Sequence, residues 1–211
     1  TTASSETPYV GGYMFLRYLA KQLADDETEV VENSIFTEGN DTYTNSTANT
    51  VLSALGGNDT IHNNANNVLI DLGAGYDHVY NGNENVTING GNDNDFVLNS
   101  DSNVLINGDA GDDNIQNPVS YETDGIHYTE NVTINGGDGN DLIWHWGNKS
   151  IIDGGAGNDS IRSGGTTNNG GDYLTVKAGA GNDTISIDGK NSYIEGGIGN
   201  DIITLTSSAA N

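Results

Sequence analysis

The sequence predicts an all-β parallel solenoid, a rod of about nine coils of 18 residues each, preceded by a short N-terminal helix. Three observations support this prediction. Aspartates recur at a fixed interval, aliphatic residues recur at two fixed places within that interval, and the composition does not suit an ordinary globular core. Only 34% of the 211 residues are hydrophobic, and thirty are glycine.

The repeat is defined by nine aspartates that share a Gly-Asn-Asp context or a close variant of it. They are Asp41, Asp59, Asp77, Asp95, Asp113, Asp141, Asp159, Asp183 and Asp201. Six of the eight intervals between them are 18 residues, and the other two are 28 and 24. A period held over most of a chain indicates structural units that stack on one another.

Each 18-residue unit divides into two nonapeptides. The aspartate half is rich in glycine and carries its aspartate at the sixth position, as in residues 136–144. The second half has no acidic residue at that position, as in residues 81–89. The eighth position of both halves is aliphatic almost throughout, as in Ile143 and Ile88. Short patches of alternating character predict strands with one buried face, so two strands per unit give two parallel sheets around a thin core.

The chain divides into three regions. Residues 36–204 form the predicted solenoid, residues 1–35 precede it and residues 205–211 form a C-terminal tail. Residues 13–24 have apolar side chains near helical spacing. We expect a helix there that either caps the open end of the solenoid or docks onto a neighbouring subunit.

Two insertions account for the longer intervals. The extra residues lie near 117–126 and 163–168, both in the second half of their unit. Both are therefore expected to project from the same edge, two coils apart. Such insertions often mark the binding side of a solenoid, but loops also lengthen at little thermodynamic cost, and the sequence does not decide between these alternatives.

Composition excludes several classes of function. The formal charge is −24 with six basic residues, which disfavours nucleic acid and anionic membrane surfaces as partners. No apolar run approaches the roughly 20 residues of a spanning helix, so no membrane insertion is expected. No catalytic motif is found, and we predict that the protein is not an enzyme. The four histidines, which are His62, His78, His127 and His145, are predicted to be mostly solvated.

The motif Gly-Gly-x-Gly-Asn-Asp-x-Ile resembles the RTX (repeats-in-toxin) nonapeptide of calcium-binding parallel β-rolls, and the resemblance covers about residues 36–204. It implies that each ion lies between two loops one coil apart. The implied ligands are the nine aspartates and backbone carbonyls from the first and third positions of the loops. These carbonyls belong to Gly90, Asn92, Gly108, Ala110, Gly136, Asp138, Gly154, Ala156, Ala178, Ala180, Gly196 and Ile198.

The chain departs from the usual RTX pattern, in which both halves carry the calcium loop. Here only one half does, which predicts calcium along one edge and an asparagine ladder along the other. The predicted ladder consists of fifth-position residues of the second half, which are Asn49, Asn67, Asn85, Asn103, Asn131 and Asn191.

Oxygen ligands alone suit Ca²⁺, whereas zinc and copper prefer softer or histidine ligands and Mg²⁺ requires a tighter octahedron. Nine stacked loops leave room for up to about eight calcium ions. Without cations, carboxylates about 5 Å apart would repel one another by roughly 1 kcal/mol or more per neighbouring pair. We therefore expect the chain to fold on binding calcium. Sites of this kind work at about 10⁻⁴–10⁻³ M, which predicts a secreted, extracellular or cell-surface location.

The favoured function is an extracellular calcium-binding structural protein that assembles with itself or adheres to a surface, as in surface layers, fibres or adhesins. A homo-oligomer or filament is expected through the N-terminal segment, the open end and outward apolar residues. These residues are Phe96, Leu98, Leu142, Trp144 and Ile202 on one sheet, and Val51, Leu69, Leu105, Ile151 and Tyr193 on the other. The alternative is a C-terminal secretion and folding module of a toxin or hydrolase exported by a type I system. An ice- or glycan-binding module is less favoured.

Overall fold

The computed structural model describes residues 36–122, 125–164 and 171–206. Within these ranges the chain winds as an all-β parallel solenoid, which confirms the predicted fold class. The predicted helix at 13–24 lies outside the described residues, as does most of the insertion at 163–168.

One face of the solenoid is a nine-stranded parallel sheet built from the aspartate halves. Its strands are β1 (Thr42–Asn45), β3 (Thr60–Asn63), β5 (His78–Asn81), β7 (Phe96–Asn99), β9 (Asn114–Asn117), β13 (Leu142–His145), β15 (Ser160–Ser163), β17 (Thr184–Ile187) and β19 (Ile202–Leu205). Each strand begins directly after the aspartate of its unit. The aspartates therefore stack along the edge at which these strands begin.

The opposite face is an eight-stranded parallel sheet. Its strands are β2 (Val51–Ser53), β4 (Val68–Ala74), β6 (Val86–Asn92), β8 (Leu105–Ala110), β12 (Thr133–Asp138), β14 (Ile151–Ala156), β16 (Thr175–Ala180) and β18 (Tyr193–Ile198). Except for β2, these strands run on through the first three positions of the glycine-rich loop. The ladder pairing thus extends into the loop and fixes its backbone.

Successive coils pair in register, so residues at equivalent positions lie side by side. Ile61 aligns with Val79 across an 18-residue interval. Leu142 aligns with Asn114 across the 28-residue interval. The first insertion leaves the stack as an antiparallel hairpin of β10 (Ser120–Glu122) and β11 (Gly125–His127). Extra residues on this edge therefore leave the alignment of the coils unchanged.

The core is a thin double column of aliphatic side chains, as the period predicts. From coil 2 to coil 8 the eighth-position residues of the aspartate half are 0–1% exposed, and those of the second half are 0–1% exposed from Leu52 to Val176, including Ile88. The sixth position of the second half, where the other half has aspartate, also faces inward and is aliphatic in most coils. Val86 and Val132 there are 1% and 0% exposed. Burying each such side chain contributes about 1.5–3 kcal/mol.

The two ends of the described stack differ. At the first coil Phe36 is 6% exposed and its ring packs edge-on against Tyr43, with centroids 5.5 Å apart. In the last described coil Ile203, which occupies a core position, is 46% exposed. The apolar column is therefore covered by an aromatic pair at one end and open to solvent at β19.

Most of the predicted outward apolar residues do face outward. Trp144, Ile151 and Tyr193 are exposed, as predicted. Leu69 is in register with outward positions but is covered, because it is only 6% exposed. Leu69 lies between Val51 and Thr87 on the adjacent strands, and these neighbours flank its side chain on both sides.

Candidate metal centre

The nine aspartates form one continuous ladder along the edge of the solenoid. The backbone N–H of each aspartate donates to Oδ1 of the aspartate one coil later, in eight bonds of 2.6–3.1 Å. The bond from Asp113 to Asp141 spans 28 residues and is 2.8 Å long, within the range of the 18-residue links. All nine predicted metal-ligand aspartates are therefore brought into a single row.

The second carboxylate oxygen has a different environment. For Asp59, Asp77, Asp95, Asp113, Asp141, Asp159 and Asp183, Oδ2 is buried and has no hydrogen-bond partner among the described residues. A buried carboxylate oxygen without a partner is costly when charged. Each of these positions therefore requires either a proton or a cation.

Burial shifts the acid–base equilibrium of the ladder. Desolvation raises the pKa of Asp95 to about 8 and that of Asp77 to about 7. It raises the pKa of Asp113, Asp141 and Asp159 to about 6. The hydrogen bond from the preceding aspartate amide opposes these shifts, and neighbouring carboxylates add to them. At neutral pH these five carboxylates are thus poised between proton binding and cation binding.

Four coils leave a space beside the unpartnered oxygen, because their loop begins with glycine and a further described coil follows. A Cβ on Gly90 would lie 2.6 Å from Oδ2 of Asp95 and 2.5 Å from the carbonyl oxygen of Gly108 in the next coil. The same pairing of a carboxylate with the next coil's carbonyl recurs at the other three glycines, which are Gly108, Gly136 and Gly154. We call each such space a glycine cradle.

A glycine cradle brings together oxygens from two coils, one of them charged. This is the ligand chemistry that Ca²⁺ prefers, and water can complete the six to eight positions of its coordination shell. In the described part of the chain, no three His, Cys, Asp or Glu side chains cluster as a metal site. A site here would therefore depend on carbonyls and one carboxylate per coil, as the sequence predicts.

The predicted carbonyls fall into two groups. Those of Gly108, Gly136, Gly154 and Ala178, all at the first loop position, line the four cradles. Several third-position carbonyls accept hydrogen bonds from the amide of the fourth loop residue one coil earlier. Gly139 donates to Ala156 and Gly157 donates to Ala180, each at 2.7 Å. Because a carbonyl oxygen has two lone pairs, such a bond leaves one lone pair for a metal ion.

The opposite edge carries an asparagine ladder, but at a different position of the repeat from the predicted one. It is formed by the last residues of β1, β3, β5, β7 and β9, which are Asn45, Asn63, Asn81, Asn99 and Asn117. Nδ2 of each donates to Oδ1 of the next at 2.7–2.8 Å, and all are buried. Their recurrence at 18-residue intervals was the available signal.

The asparagines at the fifth position of the second half, which were predicted to form that ladder, lie mainly in turns. All six have φ of 56–59°, the left-handed conformation that asparagine tolerates. Two pairs do hydrogen bond: Asn67 donates to Asn49 and Asn131 donates to Asn103, each at 3.1 Å on the exposed surface.

His145 continues the buried ladder, and the prediction of a solvated side chain is wrong for it. Its Nδ1 lies 2.8 Å from Nδ2 of Asn117, and the residue is 0% exposed. Burial lowers its pKa to about 4, so the ring is neutral at physiological pH. The strand end that suggested solvent exposure points into the interior here, because the inward column includes the last residue of each short strand.

His62 and His78 lie in a partly buried cluster of rings on the outer face of the nine-stranded sheet. His62 stacks on Tyr80 with centroids 4.7 Å apart, and His78 packs 5.4 Å from Phe96. This arrangement contains no acid–base pair of the kind that general catalysis uses.

No known protein family matches this chain. No curated protein and no solved structure matches it either. The resemblance to RTX proteins therefore rests on the nonapeptide motif and stays a prediction. Across residues 36–122, 125–164 and 171–206, no helix is long and apolar enough to span a bilayer.

Proposed function

We propose that this chain is an extracellular calcium-binding structural protein whose solenoid is stabilised by ions bound along the aspartate ladder. The observation that supports the proposal is the row of buried Oδ2 atoms without partners among the described residues, four of them beside a glycine cradle. A cation in the cradle would satisfy the carboxylate and the facing carbonyl at once.

Electrostatics favours a divalent ion over a purely structural turn. Asn-Asp turns form without metal, but they do not require a desolvated carboxylate in each coil. Charged neighbours in the ladder repel one another by roughly 1 kcal/mol per pair at a surface dielectric, and the chain as a whole carries −24. Calcium binding removes that repulsion, so the free energy of ion binding contributes directly to folding.

The weak affinity expected for such sites supports an extracellular role. Carbonyl-rich extracellular calcium modules bind at about 10⁻⁴–10⁻³ M. Resting cytosolic calcium would leave these sites empty, and external calcium would fill them. The chain would then fold where it acts, outside the cell.

Assembly is the proposed use of the folded rod. Ile202, Ile203 and Leu205 on the edge strand β19 are 62%, 46% and 55% exposed, and Ile198 at the end of β18 is 80% exposed. An unpaired edge with exposed apolar residues favours pairing with another chain. A second copy of the chain or a cell surface would cover this end.

The test combines isothermal titration calorimetry, far-UV circular dichroism and size-exclusion chromatography with light scattering, first in EDTA and then in CaCl₂. We expect calcium to convert a partly ordered monomer into a more β-rich species of higher mass, and MgCl₂ to fail at equal concentration. A β-rich spectrum with no calorimetric signal for calcium would contradict the calcium role. A folded monomer in calcium would contradict assembly and favour the secretion-module alternative.

A further inference from the structure

We propose that the first residue of each aspartate loop decides whether its coil binds calcium. Four coils would then carry an ion, and the first three coils would be closed by their own side chains. This inference rests on the proposed calcium function and adds to it the number of ions, their position and the part of the rod that folds without them.

The ion-binding coils are those with the glycine cradles at Gly90, Gly108, Gly136 and Gly154. In each, the space that a Cβ would occupy is bounded by the carboxylate of the same coil and the carbonyl of the next. Real Cβ atoms do not approach other atoms as closely as 2.6 Å, so a side chain and the two converging oxygens exclude each other.

Four of the other five coils place a side chain where the cradle would be. Coil 9 has Gly196 there, beside Oδ2 of Asp201, but no further described coil supplies a carbonyl. Phe36, Ala54 and Leu72 occupy the first loop position of coils 1 to 3, and Ala178 occupies it in coil 8. Phe36 is 6% exposed, and the other three are 0% exposed. These side chains join the apolar core, so they replace an ion site with hydrophobic burial.

The second edge contributes hydrogen bonds to the first coils, including all three that begin the rod without a cradle. The buried asparagine ladder spans the first five coils, from Asn45 to Asn117. Coils 1 to 3 are therefore closed at one edge by apolar side chains and at the other by amide hydrogen bonds. Coils 4 to 7 keep a carboxylate and an open cradle at the first edge.

Because a solenoid coil contacts only its neighbours, stability can differ along the rod. In coil 1, Oδ2 of Asp41 accepts hydrogen bonds from Thr37. In coils 2 and 3 no cradle is available, so Oδ2 of Asp59 and of Asp77, unpartnered among the described residues, would hold a proton instead of an ion. The last strands of these first three coils would then offer a paired template on which the calcium-dependent coils assemble when the ion arrives.

The first test is the calcium stoichiometry of the full chain by isothermal titration calorimetry. We expect four ions for the natural sequence, three for Gly90→Ala and five for Ala178→Gly. Gly82→Ala is the matched control, because a Cβ there meets Ser100 Oγ at an ordinary 3.7 Å, and it should keep four ions. Neither Gly90 nor Gly82 has a positive φ, so alanine is compatible with the backbone dihedral angles at both, and at Gly90 the added Cβ acts through its contacts with Asp95 and Gly108.

The outcomes separate this inference from the function on which it rests. Eight ions, unchanged by Gly90→Ala, would overturn the inference and leave the calcium function intact. No calcium binding at all would overturn both.

The second test needs no variant. Hydrogen–deuterium exchange in EDTA should leave the amides of β3 to β5 protected and those of β12 to β17 fast, with protection of the latter restored by CaCl₂. Equal exchange of both regions in EDTA would overturn the division of the rod. Protection that does not respond to calcium anywhere would overturn the calcium function as well.

Discussion

Asp95 accepts a 2.9 Å hydrogen bond from the backbone N–H of Asp77 through Oδ1, while its buried Oδ2 has no partner in the described part of the chain. One carboxylate thus joins two coils with one oxygen and leaves the other available. The first oxygen fixes the stacking of the coils. The second makes the stability of the stack depend on what binds there.

The pH dependence of stability should follow from this second oxygen. In the folded chain the pKa of Asp77 is raised to about 7 and that of Asp95 to about 8, against 3.8 for an ordinary aspartate. Between about pH 4 and pH 8 the folded state therefore binds more protons than the unfolded state. We expect the melting temperature in EDTA to fall as pH rises through this window.

Calcium should reverse that trend, because an ion can bind only after the proton has left. In CaCl₂ the melting temperature should rise from pH 5 to pH 8, and calcium uptake should release protons that calorimetry detects through the buffer ionisation enthalpy. A melting temperature in EDTA that rises with pH would show that the carboxylates are not destabilised by burial.

Asp141→Asn should separate the two oxygens of one carboxylate. The amide oxygen can still accept the 2.8 Å bond from the Asp113 N–H, and the new NH₂ faces the carbonyl of Gly154. We expect the amides of β13 to exchange about fivefold more slowly in EDTA, which corresponds to about 1 kcal/mol, because a hydrogen bond replaces a desolvated charge. The calcium stoichiometry should fall by one.

Asp138→Asn is the matched control for Asp141→Asn. It removes the same charge from an exposed loop position and leaves the backbone carbonyl in place. If both variants change calcium binding equally, the effect comes from net charge and not from the cradle.

Ser163→Asn should extend the buried ladder past His145. Nδ1 of His145 accepts from Asn117, so the proton lies on Nε2, which has no partner among the described residues. Ser163 is aligned with His145 in the next coil, and its buried Oγ is likewise unpartnered within those residues. Because asparagine reaches one bond further than serine, we expect a gain of about 1 kcal/mol in the free energy of unfolding.

Ser186→Asn provides the comparison, since Ser186 lies on the next strand of the same sheet at an outward position and should change stability by less than about 0.5 kcal/mol. Chemical denaturation measures both variants. A loss of stability in Ser163→Asn would show that the inward column has no room for an amide there.

Ile202→Lys should weaken assembly. Ile202 is 62% exposed on the edge strand β19, and a lysine on an edge strand opposes pairing with another chain. Light scattering in CaCl₂ should then give a lower mass than for the natural sequence. Thr184→Lys adds the same charge on the exposed face of β17, which is paired on both sides, and should leave the mass unchanged.

The period alone predicted the coils, the parallel sheets and the core residues such as Ile88 and Ile143. The prediction succeeded because stacked coils place equivalent residues side by side, so residues one period apart in the sequence are neighbours in the structure. The aspartate ladder followed for the same reason. Each of its members stands at the same step of the repeat.

The second ladder was harder to predict, because two asparagine positions share the period. Asn81 and Asn85 both recur every 18 residues, and only burial distinguishes the inward ladder from the exposed turn. The number of glycine cradles could not be predicted from the sequence spacing either. That number depends on where the Cβ of the first loop residue points, as at Gly90 or Leu72, and the spacing of residues does not specify this direction.

The aspartate ladder also makes rod length independent of loop length. The link between Asp59 and Asp77 closes over 18 residues, and the link between Asp113 and Asp141 closes over 28 with a bond of similar length. The hydrogen bonds between coils fix the position of the next coil, and the length of a loop does not change it. Duplicating or deleting one unit within the gene would therefore lengthen or shorten the rod by about 4.8 Å. A foreign peptide placed in the hairpin of β10 and β11 would be displayed at a fixed height along it.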